Sequence, residues 1–221
     1  MRPKVDFRLN AIVDVDAIGG DKDLGALALA AARGGATIIQ YRDKNSPTRL
    51  MVERARTIHV ALKGTGVPLV VNDRIDVALA AGVEGVHIGR EDMPVSDARQ
   101  LLGPEAIIGL TVKNEADART AIEADIDYAC IGGLFETPAK HNPDGPIGFD
   151  GFSRLAPIIR KDKPDLPIGA IAGIDLDRTP PAIAAGADGV AVISAIFRQA
   201  DPQSSAAALR AVVDLSLKVR A

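Results

Sequence analysis

Residues 71–92 read VNDRIDVALAAGVEGVHIGRED. A short apolar run ends in Asn72-Asp73, a helical pattern follows, Gly82 interrupts it, and a second apolar run ends in Arg90-Glu91-Asp92. Gly just past a helix accepts the left-handed conformation cheaply and marks a C-terminus. An apolar run that does not alternate suits a parallel strand buried on both faces. The stretch therefore predicts strand–helix–strand with acids at both strand ends.

The plan recurs. ALAAGVEGVHIG (Ala78–Gly89) matches AIAAGADGVAVI (Ala182–Ile193), and AARGGATIIQYR (Ala31–Arg42) and AIEADIDYACIG (Ala121–Gly132) follow it more loosely. Strands are predicted near Arg8–Asp14, Thr37–Arg42, Leu69–Asn72, Gly85–Ile88, Ile107–Val112, Tyr128–Gly132, Ile168–Ala172 and Gly189–Ile193, with a last helix over Ser204–Val219. Eight alternating β–α units predict a (β/α)8 TIM barrel of the α/β class, with a doubly wound open sheet as the alternative. No linker or low-complexity tract divides the 221 residues, so one barrel domain is expected over residues 1–221.

Composition narrows the function. Hydrophobic residues make up 47% of the chain but aromatics only 3%, without tryptophan, so a stacking platform for single-stranded nucleic acid is not expected. A net charge of −3 gives no electrostatic reason for a nucleic-acid partner or an acidic membrane. No run reaches the ~18 apolar residues of a membrane helix, and the N-terminus lacks a signal-peptide pattern; the expected location is the cytoplasm. Cys130, the one cysteine, sits in the apolar run YACIGG and reads as a buried, inert thiol.

In a parallel barrel every strand ends on the same face, where active sites lie. Strand two ends QYRDK, whose alternation puts Gln40, Arg42 and Lys44 on one side and Tyr41 and Asp43 on the other. Strands three and four contribute Asn72, Asp73 and Asp92, and strand five Thr111 and Lys113. The long loop after strand six, GGLFETPAKHNPDGPIG, carries Thr137 and Lys140 and is expected to act as a lid or binding loop. Strands seven and eight end in AIAGID and VISAIF, where the amides of Gly173, Ile193 and Ser194 fit a phosphate site. Two Asp residues without His or Cys companions suit a hard ion, Mg2+ in particular. The mouth thus reads as a site for two phosphorylated small molecules. Of the three histidines, His59 reads as a surface or satisfied residue and His87 as structural, while His141, beside Lys140 in the loop, has a role left open.

QYRDK, VNDRIDVALAAGVEGVHIGREDMP, IGLTVKN, the loop stretch TPAK and ADGVAVISAI together resemble the thiamine phosphate synthase family over about Asn10 to Phe197. The resemblance implies condensation of 4-amino-2-methyl-5-hydroxymethylpyrimidine diphosphate with thiazole phosphate, giving thiamine phosphate and pyrophosphate. It implies that Gln40, Arg42, Lys44 and Asn72 bind the pyrimidine diphosphate, with Thr111 near the pyrimidine. Asp73 and Asp92 would hold Mg2+, Lys140 would reach the diphosphate, and Thr137, Gly173, Ile193 and Ser194 would lie about the thiazole phosphate. Arg42, Lys44 and Lys140 are the expected catalytic cations.

Three positions depart from the family pattern. Gly133 replaces a proline, Ala139 a threonine of Thr-x-Thr-Lys, and Ala172 the first glycine of Ala-Ile-Gly-Gly-Ile. All fall on the thiazole-phosphate side. Two other readings stay open: a thiazole tautomerase-like isomerase, whose catalytic histidine would stand where Gly133 is, and a non-catalytic protein that binds a thiamine precursor. Assembly into a homo-oligomer is also left open.

Overall fold

Eight short runs of aliphatic and β-branched residues form the strands β1 (Leu9–Asp14), β2 (Ile38–Arg42), β3 (Leu69–Asn72), β4 (Gly85–Ile88), β5 (Ile107–Val112), β6 (Tyr128–Ile131), β7 (Ile168–Ile171) and β8 (Gly189–Val192). In the computed structural model, which describes residues 4–19, 22–137 and 145–220, they close in sequence order into a parallel barrel. Closure is made by β1 against β8, with Leu9 opposite Val190. The open-sheet alternative is thereby set aside.

The helices are α1 (Val15–Ile18), α2 (Leu24–Arg33), α3 (Thr48–Leu62), α4 (Ile75–Ala81), α5 (Val95–Leu102), α6 (Glu115–Glu123), α7 (Gly148–Asp162), α8 (Thr179–Ala184), α9 (Ser194–Phe197) and α10 (Pro202–Arg220). Each long helix turns one stripe inward. In α3 the buried residues are Met51, Ala55, Ile58 and Leu62, a three- and four-residue spacing that keeps one face on the sheet. Gly82 ends α4 in the left-handed conformation, its N–H donating to the carbonyls of Ala78 and Leu79. No helix among the described residues is long and apolar enough to cross a membrane.

The acid that closes each repeat works at the foot of the barrel. Just before β4, the Glu84 carboxylate accepts the N–H of Leu69, the first residue of β3. Asp127, before β6, accepts the N–H of Ile108 in β5 at 2.8 Å, and Asp188, before β8, accepts that of Ile168 in β7 at 2.8 Å. Before β2, Thr37 supplies a hydroxyl instead, 3.0 Å from the N–H of Leu9. Every odd-numbered strand is thus tied at its start to the even-numbered strand that follows. Arg99 pairs with Asp127, and Arg160 and Arg220 both pair with Asp188.

The lower barrel interior is filled from below. Phe7 and Tyr128 pack with ring centroids 4.9 Å apart, among Ile12, Ile38, Val70, Ile107, Cys130 and Ala191. Glycines make this room: a Cβ on Gly169 would lie 1.7 Å from the Phe7 ring, and one on Gly109 2.0 Å from the Tyr128 ring. With the lower half packed, only the upper end of the interior is left for a ligand.

The foot clamps should carry stability out of proportion to their exposure. Asp188→Ala is expected to cost on the order of 2–3 kcal/mol, since it removes a charged acceptor from a strand N–H and strands two arginines. Asp76→Ala, at an exposed carboxylate paired with Arg74 two residues away, is expected to change stability by less than about 0.5 kcal/mol. Urea unfolding of both variants compares the two.

Candidate active site

The residues predicted from the strand ends do meet. Gln40, Arg42, Asn72, Thr111, Lys113, Thr137, Gly173, Ile193 and Ser194 all line one cavity at the C-terminal mouth, with His87, Gly132, Gly133 and Ala172. Strand alternation puts Gln40 and Arg42 inward, while Tyr41 and Asp43 turn outward, where the Tyr41 hydroxyl donates to Asp43 at 2.8 Å and Arg54 of α3 completes the group.

Arg42 is held by Asp14 at the end of β1. One carboxylate oxygen of Asp14 accepts from the Arg42 guanidinium, and the other accepts the N–H of Ala17 at 3.0 Å, capping α1. Asp14 is buried, so the pair is fixed and the guanidinium stays at the cavity wall. The sequence reading passed over Asp14, although it ends an apolar run as Asp73 and Asp92 do.

Asp73 and Asp92 converge on the rim beside this cavity. Asp73 takes up φ +61°, a left-handed conformation that Asp tolerates better than most residues, and its N–H donates to the carbonyl of His87 at 2.8 Å. Its carboxylate pairs with the Lys44 ammonium. Asp92 folds back over its own turn to accept the N–H of Gly89 at 2.7 Å. The two carboxyls are close enough to share a proton. Burial raises both, but in Asp73 the Lys44 ammonium and the Asp92 hydrogen bond outweigh it and hold the group below the usual carboxylate range. In Asp92 burial prevails, eased by the Gly89 N–H and reinforced by the charge of Asp73, and the group sits above that range. Two carboxyls in one place resist ionising together unless a cation joins them. Among the described residues no cluster of three or more His, Cys, Asp or Glu stands ready for a metal, so any ion here would rest on these two carboxylates, with waters or ligand oxygens completing its shell.

The far wall is built by the loops after β6, β7 and β8. Ile147 and Gly148 donate to the carbonyls of Gly133 and Leu134 at 2.9 Å, so the long loop is stapled at its base. The N–H of Phe135 reaches the carbonyl of Ala172, and Arg178 stacks 4.2 Å from the Phe135 ring while donating to the carbonyl of Gly173. Gly133 has φ +74° and Ala172 φ +87°. Proline, fixed near φ −65°, could not occupy the first, and the second is a glycine-type position held by alanine. A Cβ on Gly173 would lie 2.8 Å from Phe135. Lys140, with Ala139 and His141, lies outside the described residues.

His87, expected as a structural histidine, is buried and bonded through both ring nitrogens. It faces the cavity, with Nε2 2.9 Å from the Thr111 hydroxyl and Nδ1 3.1 Å from the Tyr128 hydroxyl. Its place two residues inside β4, on the same side as Gly89, was the available signal. His59 is a foot residue beside Glu84, at 3.1 Å. Burial pushes the Cys130 thiol up to about 12, so it stays protonated and unreactive near neutral pH.

Comparison with known proteins bears on this site. The family model for thiamine monophosphate synthase matches residues 9–196. A thiamine-phosphate synthase of Agrobacterium fabrum is 59% identical over 217 residues, spanning 98% of either chain, and that of Chloroflexus aurantiacus is 39% identical over 96% of this chain and 95% of its own. A thiamine phosphate pyrophosphorylase structure from Pyrococcus furiosus superposes with a TM-score of 0.83 at 33% identity, covering 97% of this chain and 98% of that one. A 3-hexulose-6-phosphate synthase, at 18% identity and a TM-score of 0.65, shares the fold alone. The chain therefore belongs to the thiamine monophosphate synthase family and is a transferase of thiamine biosynthesis.

Proposed function

We infer that the chain joins 4-amino-2-methyl-5-hydroxymethylpyrimidine diphosphate to thiazole phosphate, releasing pyrophosphate, with Mg2+ held by Asp73 and Asp92. The observation that carries this reading is the division of the mouth into two unlike halves. One half gathers Arg42, Lys44 and the paired carboxyls of Asp73 and Asp92. The other offers the backbone of Gly173, Ile193 and Ser194 with the hydroxyl of Thr137.

The first half suits a diphosphate. Mg2+ bound there would neutralise phosphate charge and so improve pyrophosphate as a leaving group. Arg42, braced by Asp14, presents a cation that needs no reorganisation as the C–O bond breaks and its electron pair leaves with the diphosphate. Lys44 already pairs with Asp73 and can turn to a phosphate oxygen once that carboxylate is otherwise engaged. Gln40 and Asn72 supply neutral amides that bond the substrate without adding charge. Lys140 is assigned to the diphosphate by the family resemblance alone.

The aminopyrimidine ring is electron-rich and can hold the cationic carbon left behind. The thiazole nitrogen then donates its electron pair to that carbon. The chain's part in this step is positioning: the N–H groups of Ser194 and Ala195, which open α9, can with Gly173 anchor a monophosphate. No protein nucleophile is required.

A coupling assay with both precursors and Mg2+, with product read by mass, tests the activity. Thiamine phosphate and pyrophosphate are expected in equal amounts. Binding without turnover would favour a precursor-binding protein, and isomerisation of the thiazole without condensation would favour a tautomerase. Asp92→Asn is expected to lower kcat on the order of a hundredfold while changing the KM for thiazole phosphate little, because the lost charge acts on the leaving diphosphate.

Ala172 offers a second check. Its φ of +87° strains an alanine but not a glycine. Ala172→Gly is expected to gain about 0.5–1 kcal/mol in stability, the relieved strain exceeding the added freedom of the unfolded chain. It is also expected to lower the KM for thiazole phosphate and leave that for the pyrimidine diphosphate unchanged. Thermal unfolding and the two Michaelis constants measure this; unchanged constants would mean the methyl does not touch the acceptor pocket.

A further inference from the structure

We propose that Tyr128 and His87 form a hydrogen-bond relay that orients the Thr111 hydroxyl, so that Thr111 donates its proton into the substrate cavity. The three groups sit on adjacent strands, His87 on β4, Thr111 on β5 and Tyr128 on β6, all directed to the barrel interior.

The direction of the relay follows from which group has no alternative. The Tyr128 side chain is fully buried, packed against Phe7 and over the space left by Gly109. Burial keeps its phenol protonated, well above the usual ionisation range. Its hydroxyl hydrogen needs an acceptor, since an unpaired buried donor is costly. Among the described residues the one partner in reach is Nδ1 of His87, at 3.1 Å. The Tyr128 hydroxyl therefore donates and Nδ1 accepts. A neutral imidazole has one acceptor and one donor nitrogen, so Nε2 carries the hydrogen. At 2.9 Å, Nε2–H then donates to the Thr111 oxygen. With that oxygen accepting from the ring, its own hydrogen points away from His87, and the remaining open side is the cavity that Thr111 lines. The opposite tautomer, or a doubly protonated ring, would send a hydrogen toward Tyr128 and leave the phenol hydrogen unpaired.

His87 is stacked nearly parallel to the Tyr128 ring, at 14° with centroids 5.5 Å apart, so the imidazole is held against a ring flip as well. The relay makes Tyr128, which never meets substrate, a positioning residue, and it makes the Thr111 hydroxyl a donor to an acceptor atom of the first substrate, such as a pyrimidine ring nitrogen. That last step rests on the reading of Thr111 as a residue facing the pyrimidine; the tautomer does not.

Two measurements separate these. Long-range proton–nitrogen spectra of the uniformly 15N-labelled full chain read which ring nitrogen carries the proton, with His87 identified by the signals that vanish in His87→Gln. Wild type is expected to show a neutral ring protonated at Nε2, and Tyr128→Phe a mixture of tautomers. A proton on Nδ1 in wild type, or an unchanged tautomer in Tyr128→Phe, overturns the relay whether or not the chain couples the two precursors. In kinetics, Tyr128→Phe is expected to raise the KM for the pyrimidine diphosphate roughly fivefold, equivalent to one neutral hydrogen bond, with no change for thiazole phosphate. The same substitution in a Thr111→Val background is expected to add nothing. An equal rise in that background would reduce Tyr128 to a packing residue. Should Tyr128→Phe fail to fold, the wild-type spectrum still decides the tautomer.

Discussion

The hydrogen bond from the first or second N–H of each odd-numbered strand to the side chain just ahead of the next strand is the constraint on which the barrel rests. Leu9 with Thr37, Leu69 with Glu84, Ile108 with Asp127 and Ile168 with Asp188 repeat it four times around the foot. A parallel barrel has slanted ladders and no edge, so the stagger of neighbouring strands must be set by something. A side-chain acceptor at a fixed place in every second unit pins each odd–even pair in register. The strand tips at the other end then come out at matched heights, and the functional residues are carried on those tips.

The two ends of the barrel use charge differently. At the foot, Asp127 and Asp188 each meet a backbone N–H and one or two arginines, and Glu84 meets a backbone N–H with His59 beside it. At the mouth the balance is incomplete. Among the described residues Asp73 pairs with Lys44, Asp92 sits against Asp73, and the ionisation of one raises the cost of ionising the other. Between the ends, Phe7 and Tyr128 fill the interior, which is why polar groups of β1 to β5 can gather above them without a continuous pore.

Much of this was legible in the sequence because the barrel writes its plan in local signals. Gly82 and Gly186 mark helix ends, and the non-alternating runs after them are strands buried on both faces. Once the strands were placed, the rule that strand ends share one face brought Gln40, Arg42, Asn72, Asp73, Asp92 and Thr111 together from positions spread over some seventy residues. What stayed hidden depends on packing. The roles of Glu84, Asp127 and Asp188 as clamps need the neighbouring strand's N–H, which no local pattern shows. His87 read as structural because a histidine inside a strand carries no sign of which face it takes or what stands opposite. Tyr128 became visible as its partner only when β4, β5 and β6 were laid side by side, and the strain at Ala172 belongs to a backbone angle that composition does not encode.

We propose that the unbalanced acids and cations of the mouth bind a metal-bridged diphosphate. Calorimetric titration of the whole chain with inorganic pyrophosphate, with and without Mg2+, tests it most directly. Saturable binding of one pyrophosphate per chain is expected, dependent on Mg2+ and lost in Asp73→Asn, while the same variant keeps its fold. Equal affinity with and without Mg2+, or binding that survives Asp73→Asn unchanged, would contradict it.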